Sequence, residues 1–176
     1  TGSSKGVVLT NRNLTSNASA TVSQFFKIKT GMRWLSILPL SHSYEFTVGF
    51  LLPLLTGCEI HYLGKPPAAS ILLPALKRVR PHLILSVPLL IEKIYRSSVV
   101  PQIENNKNLK RCYTHPFLRT KINRIIGRKL KMTFGSRLKF FGVGGAAIDF
   151  EVEKFLKEAR FPYSIGYGLT ETAPLL

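Results

Sequence analysis

The chain has 176 residues, 45% of them apolar, and 25 basic against 9 acidic side chains give a formal net charge of +16. That length and apolar content allow one ordinary globular domain with a sizeable core and argue against wholesale disorder. Two cysteines, Cys58 and Cys112, make no disulfide framework and no Cys/His cluster has zinc spacing, so a reducing, intracellular setting with free thiols fits.

Apolar runs alternate with helical patterns along the chain. Lys5 to Thr10 reads as a short strand, and Asn11 to Phe26 as a helix capped by Thr10 or Asn11. Trp34 to Leu38 is a buried strand ended by Pro39. Phe46 to Leu55 is an apolar helix broken near Pro53, its apolar run too short to span a membrane. Glu59 to Leu63 is the next strand, Ala68 to Arg80 a helix, and Leu83 to Val87 an apolar strand bounded by Pro81 and Pro88. Leu89 to Ser97 continues as helix. Ser98 to Asn108 is polar and is the candidate linker, and beyond Pro101 a long helix is expected around Phe117 to Leu130. Leu138 to Val143 is a strand, Asp149 to Ala159 an amphipathic helix and Tyr163 to Ile165 a final strand. Strands alternating with helices, without an internal repeat, predict an α/β fold: a mostly parallel sheet with helices on both faces.

About half of the basic residues fall between Lys93 and Lys139. Lys107 to Lys131 alone holds Lys110, Arg111, Arg119, Lys121, Arg124, Arg128 and Lys129 besides its two ends. Three readings are open: a solvated helix face whose acidic partners lie elsewhere in a parent chain, a surface for an anionic cofactor or membrane, or a nucleic-acid site. Tyr113 and Phe117 are the only aromatics there, which argues against a stacking platform for single strands.

Three clusters carry candidate chemistry. Thr1-Gly2-Ser3-Ser4-Lys5-Gly6 combines glycines, hydroxyls and a lysine, a set that can cradle phosphate oxygens, although the spacing is not a Walker A loop. A flexible glycine-serine start is the alternative. Gly142-Val143-Gly144-Gly145-Ala146-Ala147 follows a strand and precedes a helix. Its small residues would let a flat ring lie against the backbone, or would simply make a tight turn with Asp149 as N-cap. Tyr167-Gly168-Leu169-Thr170-Glu171-Thr172 sets an aromatic ring, a hydroxyl and a carboxylate just past a strand. These suit adenine stacking, phosphate hydrogen bonding and Mg²⁺ binding, with an ordinary surface acid as the alternative for Glu171.

Taken in order, these clusters resemble the adenylate-forming (AMP-binding) enzyme superfamily. Thr1 to Val7 resembles the tail of its phosphate-loop signature T-S-G-[ST]-T-G-x-P-K-G, and Tyr167 to Glu171 its Y-G-x-T-E motif. Gly144-Gly145-Ala146 is similar to the G-G-A/G-A-P segment. Leu38-Pro39-Leu40-Ser41-His42-Ser43-Tyr44-Glu45 resembles L-P-L-x-H, and Arg80-Pro81-His82 to Ile94-Tyr95 the K-P-T…V-P…E-K-I-Y run. Within the superfamily, the wording Leu40 to Glu45 and the basic insertion between Tyr95 and Gly135 look like long-chain fatty acyl-CoA synthetases. Ser4 stands where the loop usually has Pro, and Val143 and Ala147 replace the usual Ser and Pro around the double glycine. Ala147 leaves that turn less rigid than Pro would.

The resemblance implies ATP-dependent activation of a long-chain fatty acid to an acyl-adenylate and then an acyl-CoA, with ATP/AMP, Mg²⁺ and coenzyme A as cofactors or co-substrates. It implies that Thr1, Gly2, Ser3 and Lys5 hold the β- and γ-phosphates, that Thr170 reaches the α-phosphate and that Glu171 binds Mg²⁺. Tyr167 would stack on adenine, with Gly145 and Ala146 lining the other side, and Gly144 and Gly168 would belong to the same cofactor-binding set. His42 would orient the acyl carboxylate and the entering thiol. Residues 1–176 are expected to be part of the large N-terminal (ATP/acyl-binding) domain, both ends cut from a longer chain. The C-terminal domain and its lysine would lie beyond Leu176, and the isolated segment is expected to be inactive. A cytoplasmic location, peripheral to a membrane or not, goes with this reading, and nucleic acid is not expected as a partner. The other readings are a relative with another acid or acceptor (fatty acyl-AMP, aryl-CoA or peptide-synthetase type) and a basic nucleic-acid or membrane-binding module.

Overall fold

A computed structural model describes residues 6–24 and 27–175. Helix α1 (Asn11–Gln24) starts where Thr10 and Asn13 cap one another: the Thr10 N–H donates to Asn13 Oδ1 at 2.9 Å, and the Asn13 N–H to Thr10 Oγ1 at 3.2 Å. This exchange satisfies N-terminal donors that the helix itself leaves free. Residues 6–10 form no strand, contrary to the expectation for Lys5 to Thr10, whose first residue lies outside the described ones. Their N–H groups find no neighbouring strand, and Val8 stands in solvent.

Five strands are described: β1 (Arg33–Ser36), β2 (Glu59–Tyr62), β3 (Leu83–Ser86), β4 (Phe140–Val143) and β5 (Tyr163–Ile165). Every pairing is parallel and the spatial order is β2-β1-β3-β4-β5. The chain leaves β1 for β2 on one side and returns to β3 on the other, so the order reverses between β1 and β3. A crevice is expected at the carboxyl ends of such strands.

Side chains alternate across the sheet. Trp34, Leu83, Leu85 and Phe140 face one way and form the smaller core with Val48 and Leu52. Above them, the π-helical turns Glu45–Leu51 run straight into α2 (Leu52–Leu55), and α1 packs against both. Pro53 was expected to break this segment. It falls instead in the first turn of α2, directly after the register changes from π to α, where a proline ring is tolerated.

Leu35, Ile84, Phe141 and Val143 face the other way, into the larger core. Helices α3 (Ala69–Val79), α4 (Pro88–Ile94), α5 (Val100–Glu104), α6 (Lys107–Tyr113), α7 (Pro116–Thr133) and α8 (Phe150–Glu158) cover that face. Phe134, Phe141 and Phe161 meet edge to face at 5.5–5.7 Å between ring centres. Asp149 caps α8 through Oδ1, as its position in the sequence predicts. The expected linker Ser98 to Asn108 is largely helical. α4 passes through a π-turn at Tyr95–Val99 into α5, and α6 begins at Lys107. Val99 and Ile103, four residues apart on that stretch, are both buried and hold it to the core.

Candidate functional site

The segments that leave four adjacent strands converge on one cleft of about 680 Å³ at the carboxyl rim of the sheet. Leu38 to Tyr44 follow β1, Val87 follows β3, Gly144 and Gly145 follow β4, and Gly166 and Gly168 to Thr170 follow β5. The ladder reaches the rim itself: the Gly144 N–H donates to Ser86 O at 3.0 Å and the Gly166 N–H to Val143 O at 2.8 Å. The walls are mainly apolar, from Leu9, Leu14, Leu38, Phe46, Val87 and Leu175. His42, the hydroxyls of Ser41, Ser43 and Thr170, and the glycine backbone supply the polar points. Size and lining are those of a small-molecule site.

His42 sits on a turn closed by its N–H to Pro39 O at 3.1 Å, and its own carbonyl accepts the Phe46 N–H at 2.9 Å. His42 is exposed and lines the cleft immediately before the π-helical turns. Among Gly142 to Ala147, the flat ring against the backbone is the protein's own: a Cβ on Gly142 would lie 2.7 Å from the Tyr44 hydroxyl oxygen, and one on Gly144 would lie 3.1 Å from its Cε1. Gly145 has φ +88° with open space beside it, the left-handed conformation that suits glycine, so its backbone faces the cleft unobstructed. Gly168 has no room at all, because a Cβ there would sit 1.6 Å from the Pro174 carbonyl oxygen.

Two positions that the sequence reading gave no role now acquire one. Tyr44 lines the cleft over the glycines, and burial, with Glu45 beside it, pushes its phenol well above the usual tyrosine range. Asn17 on α1 donates from Nδ2 to Leu175 O at 2.7 Å and to Thr172 O at 3.2 Å, which ties the segment after β5 to the first helix. A tyrosine beside the histidine was a usable signal for the first. A polar asparagine in a polar helix gave none for the second. Behind Tyr44, Glu45 is wholly buried, and burial pushes its carboxyl up to about 7 against the opposing hydrogen bond from Ser36.

The cleft brings together His42, Gly144, Gly145, Gly168 and Thr170. Tyr167 is 71% exposed and borders a neighbouring hollow of about 260 Å³ that shares Tyr44, Gly166 and Leu175 with the cleft. Ala146 and Glu171 are exposed and do not line the cleft. Thr1, Gly2, Ser3 and Lys5 lie outside the described residues. No group of three His, Cys, Asp or Glu able to hold a metal ion occurs among the described residues. A single free carboxylate such as Glu171 still suits Mg²⁺, which takes one or two carboxylates and completes its shell with phosphate oxygens and water.

An open parallel sheet with a ligand-sized cleft across its carboxyl ends defines an α/β ligand-binding domain. The family model of the AMP-binding enzymes matches residues 1–176, and the chain belongs to that family. It is 30% identical over 187 residues to long chain acyl-CoA synthetase 6, peroxisomal, of Arabidopsis thaliana, a match covering 98% of this chain and 26% of the relative. To the probable acyl-activating enzyme 16, chloroplastic, of the same plant it is 25% identical over 224 residues, covering all of this chain and 30% of the relative. The chain thus spans between a quarter and a third of the length of these relatives. Among solved structures, o-succinylbenzoate CoA synthetase from Bacillus subtilis, in complex with its acyl-adenylate intermediate, superposes with a TM-score of 0.68 at 20% identity. That match covers 99% of this chain and 29% of the other, and shows the shared fold.

Proposed function

We propose that the protein activates a long-chain fatty acid with ATP and transfers the acyl group to coenzyme A, residues 1–176 supplying part of the N-terminal ATP- and acyl-binding domain. A carboxylate oxygen of the acid bonds to the α-phosphorus of ATP as the bond to pyrophosphate breaks. The sulfur of the thiol then bonds to the acyl carbon and AMP leaves. The observation that carries this reading is the meeting of His42, Gly145, Gly168 and Thr170 in one cleft at the strand ends. Membership of the AMP-binding family and the long-chain synthetase among its relatives support it.

In this reading the exposed backbone of Gly145 lets the nucleotide approach closely, beside Gly144 and with Ala146 beyond. Tyr167 and Gly168 flank the adenine, and the Thr170 hydroxyl donates to an α-phosphate oxygen. His42 orients the acyl carboxylate. Thr1, Gly2, Ser3 and Lys5 would hold the outer phosphates. Glu171 would hold Mg²⁺, which when bound neutralises phosphate charge as the new bond forms. The apolar wall of Leu38, Phe46 and Val87 excludes water from the reacting carboxyl, which strengthens every polar contact there.

The test is ATP–pyrophosphate exchange by the full-length protein with acids from acetate to oleate. Exchange that rises with chain length is expected, as is loss of exchange with Thr170→Val. Exchange with short or aromatic acids alone would replace the proposed substrate class. No exchange with any acid would end the adenylation reading. Residues 1–176 alone are expected to give no turnover.

A further inference from the structure

We infer that Glu45 is a positioning residue for the cleft: through its bond to Ser36 it holds the loop that carries His42, and so keeps the acyl carboxylate in its reactive place. The role toward the acyl carboxylate rests on the ligase reading, whereas the hold on the loop does not. Ser36 ends β1 and Glu45 opens the π-helical turns, and the hydroxyl of one meets the carboxyl of the other at 2.5 Å across the base of the loop Ile37 to Tyr44. Every residue from Leu38 to Tyr44 lines the cleft. The bond therefore closes the ring of chain that forms this wall. The Phe46 N–H, one residue beyond Glu45, donates to His42 O, so a shift at Glu45 passes directly to the histidine.

Packing alone does not call for a carboxyl at this place. Glu45 and Ser36 are both buried, and an apolar or amide side chain would avoid the desolvation of an acid. The group is also enclosed by the next turn of backbone, since a Cβ on Gly49 would lie 2.6 Å and 2.9 Å from its two oxygens. No cation offsets the charge. The elements packed against the π-helical turns are α1, α2, β1 and β3, and their only charged side chains are Arg12 and Arg33. Neither forms an ion pair with Glu45. The groups that interact with the carboxyl are the Ser36 hydroxyl and the phenol of Tyr44. The neutral acid accepts from Ser36 without a buried charge. Its ionisation sets a charge with one donor inside the core, and the base of the loop must loosen to admit water. Burial places this change at about pH 7.

The experiment is pyrophosphate exchange by the full-length protein at about pH 6 and about pH 8.5, with oleate and ATP varied in turn, beside amide hydrogen exchange of His42 and Phe46. Glu45→Gln retains an oxygen for Ser36 and cannot ionise, so it cancels every other group that titrates in this range. Relative to it, the parent should have the same KM for oleate at the lower pH and a roughly fivefold higher one at the upper, with KM for ATP within about twofold at both. Protection of the two amides should fall by a similar factor at the upper pH in the parent alone. Ser36→Ala removes the bond itself and should raise KM for oleate roughly fivefold at both pH values. Parent and glutamine variant identical in KM for oleate and in protection at both pH values would overturn the inference. So would equal rises in the two KM values, which general loosening of the fold produces. No exchange with any acid, while protection still separates the parent from the glutamine variant, would end the ligase reading and leave Glu45 as the residue that holds the loop.

Discussion

The hydroxyl of Ser36, the last residue of β1, donates a 2.5 Å hydrogen bond to Oε1 of Glu45, the first residue of the π-helical turns. The carboxyl fills the space beside Gly49, where a Cβ would come within 2.5 Å of its carbon, and Oε2 has no hydrogen-bond partner among the described residues. This contact fixes the far end of the Leu38 to Tyr44 segment that lines the cleft.

Burial pushes the Glu45 carboxyl from about 4.5 in the unfolded chain up to about 7 in the folded one. Below the unfolded value both states hold the proton. Between the two values only the folded state does, so stability falls as pH rises through this window and levels off above about 7. Glu45→Gln keeps the acceptor for Ser36 and removes the titration. Relative to this variant, the parent should lose roughly 2–3 kcal/mol between about pH 4.5 and about pH 8. Urea unfolding at the two pH values measures it, and identical slopes with pH for both proteins would refute the buried neutral carboxyl.

The opposite pH dependence belongs to Glu158. Arg119 donates to both its oxygens, Nη2 at 2.7 Å and Nε at 3.1 Å, and Asn123 Nδ2 adds a third donor at 2.9 Å. The bond from Arg119, with help from Asn123, holds the carboxyl below the usual glutamate range. Its stabilisation is complete above the unfolded value and is lost as pH falls through the lower folded one. Glu158→Gln should cost about 1–2 kcal/mol at neutral pH, the pair being partly exposed, and the deficit should vanish in acid. Thermal melts of parent and variant from neutral to acid pH decide it. A deficit that persists unchanged in acid would assign the effect to packing instead.

Gly127 lets α7 approach α8's end closely: a Cβ there would lie 2.7 Å from the Ala159 Cβ and 2.8 Å from the Ala159 carbonyl oxygen. Gly127→Ala removes helix-interior flexibility, which alone would stabilise by up to about 1 kcal/mol. The collision with backbone outweighs this, and a net loss of about 1–3 kcal/mol is expected. A raised melting temperature would show that the two helices separate without cost.

Strand and helix order was legible because β3 is a mainly apolar run between Pro81 and Pro88, β1 runs up to Pro39, and α8 carries both an Asp cap and helical periodicity. What escaped were features set by tertiary contact. Ser97, Ser98 and Gln102 mask Val99 and Ile103, so a core-anchored helix reads as a linker. Nothing local marks the π register of Glu45 to Leu51. Residues 6–10 carry strand-like letters, but a strand needs a neighbour to pair with. At the site, motif residues were legible as letters and their order matched the family. That the ring over the double-glycine turn is Tyr44, and that Tyr167 stands to one side of the main cleft, depends on how the strand ends pack together.

Asn17 offers the sharpest separation between holding the cleft and holding the fold. Its amide donates to two carbonyls of the segment that follows Thr170, while its own Oδ1 has no partner among the described residues. Asn17→Ala removes both donors and leaves the carbonyls to water, with a stability cost of about 1–2 kcal/mol. If the segment bearing Gly168 and Thr170 contacts nucleotide, its loosening should raise KM for ATP roughly tenfold with a smaller change in kcat, since binding and not the chemical step is affected. Asn17→Asp is isosteric but cannot donate and sets a carboxylate against two carbonyl oxygens, so it should exceed Ala in both effects. Pyrophosphate exchange at varied ATP on the three full-length proteins gives the order, and an aspartate variant with the parent's KM would dissociate this tether from the nucleotide site.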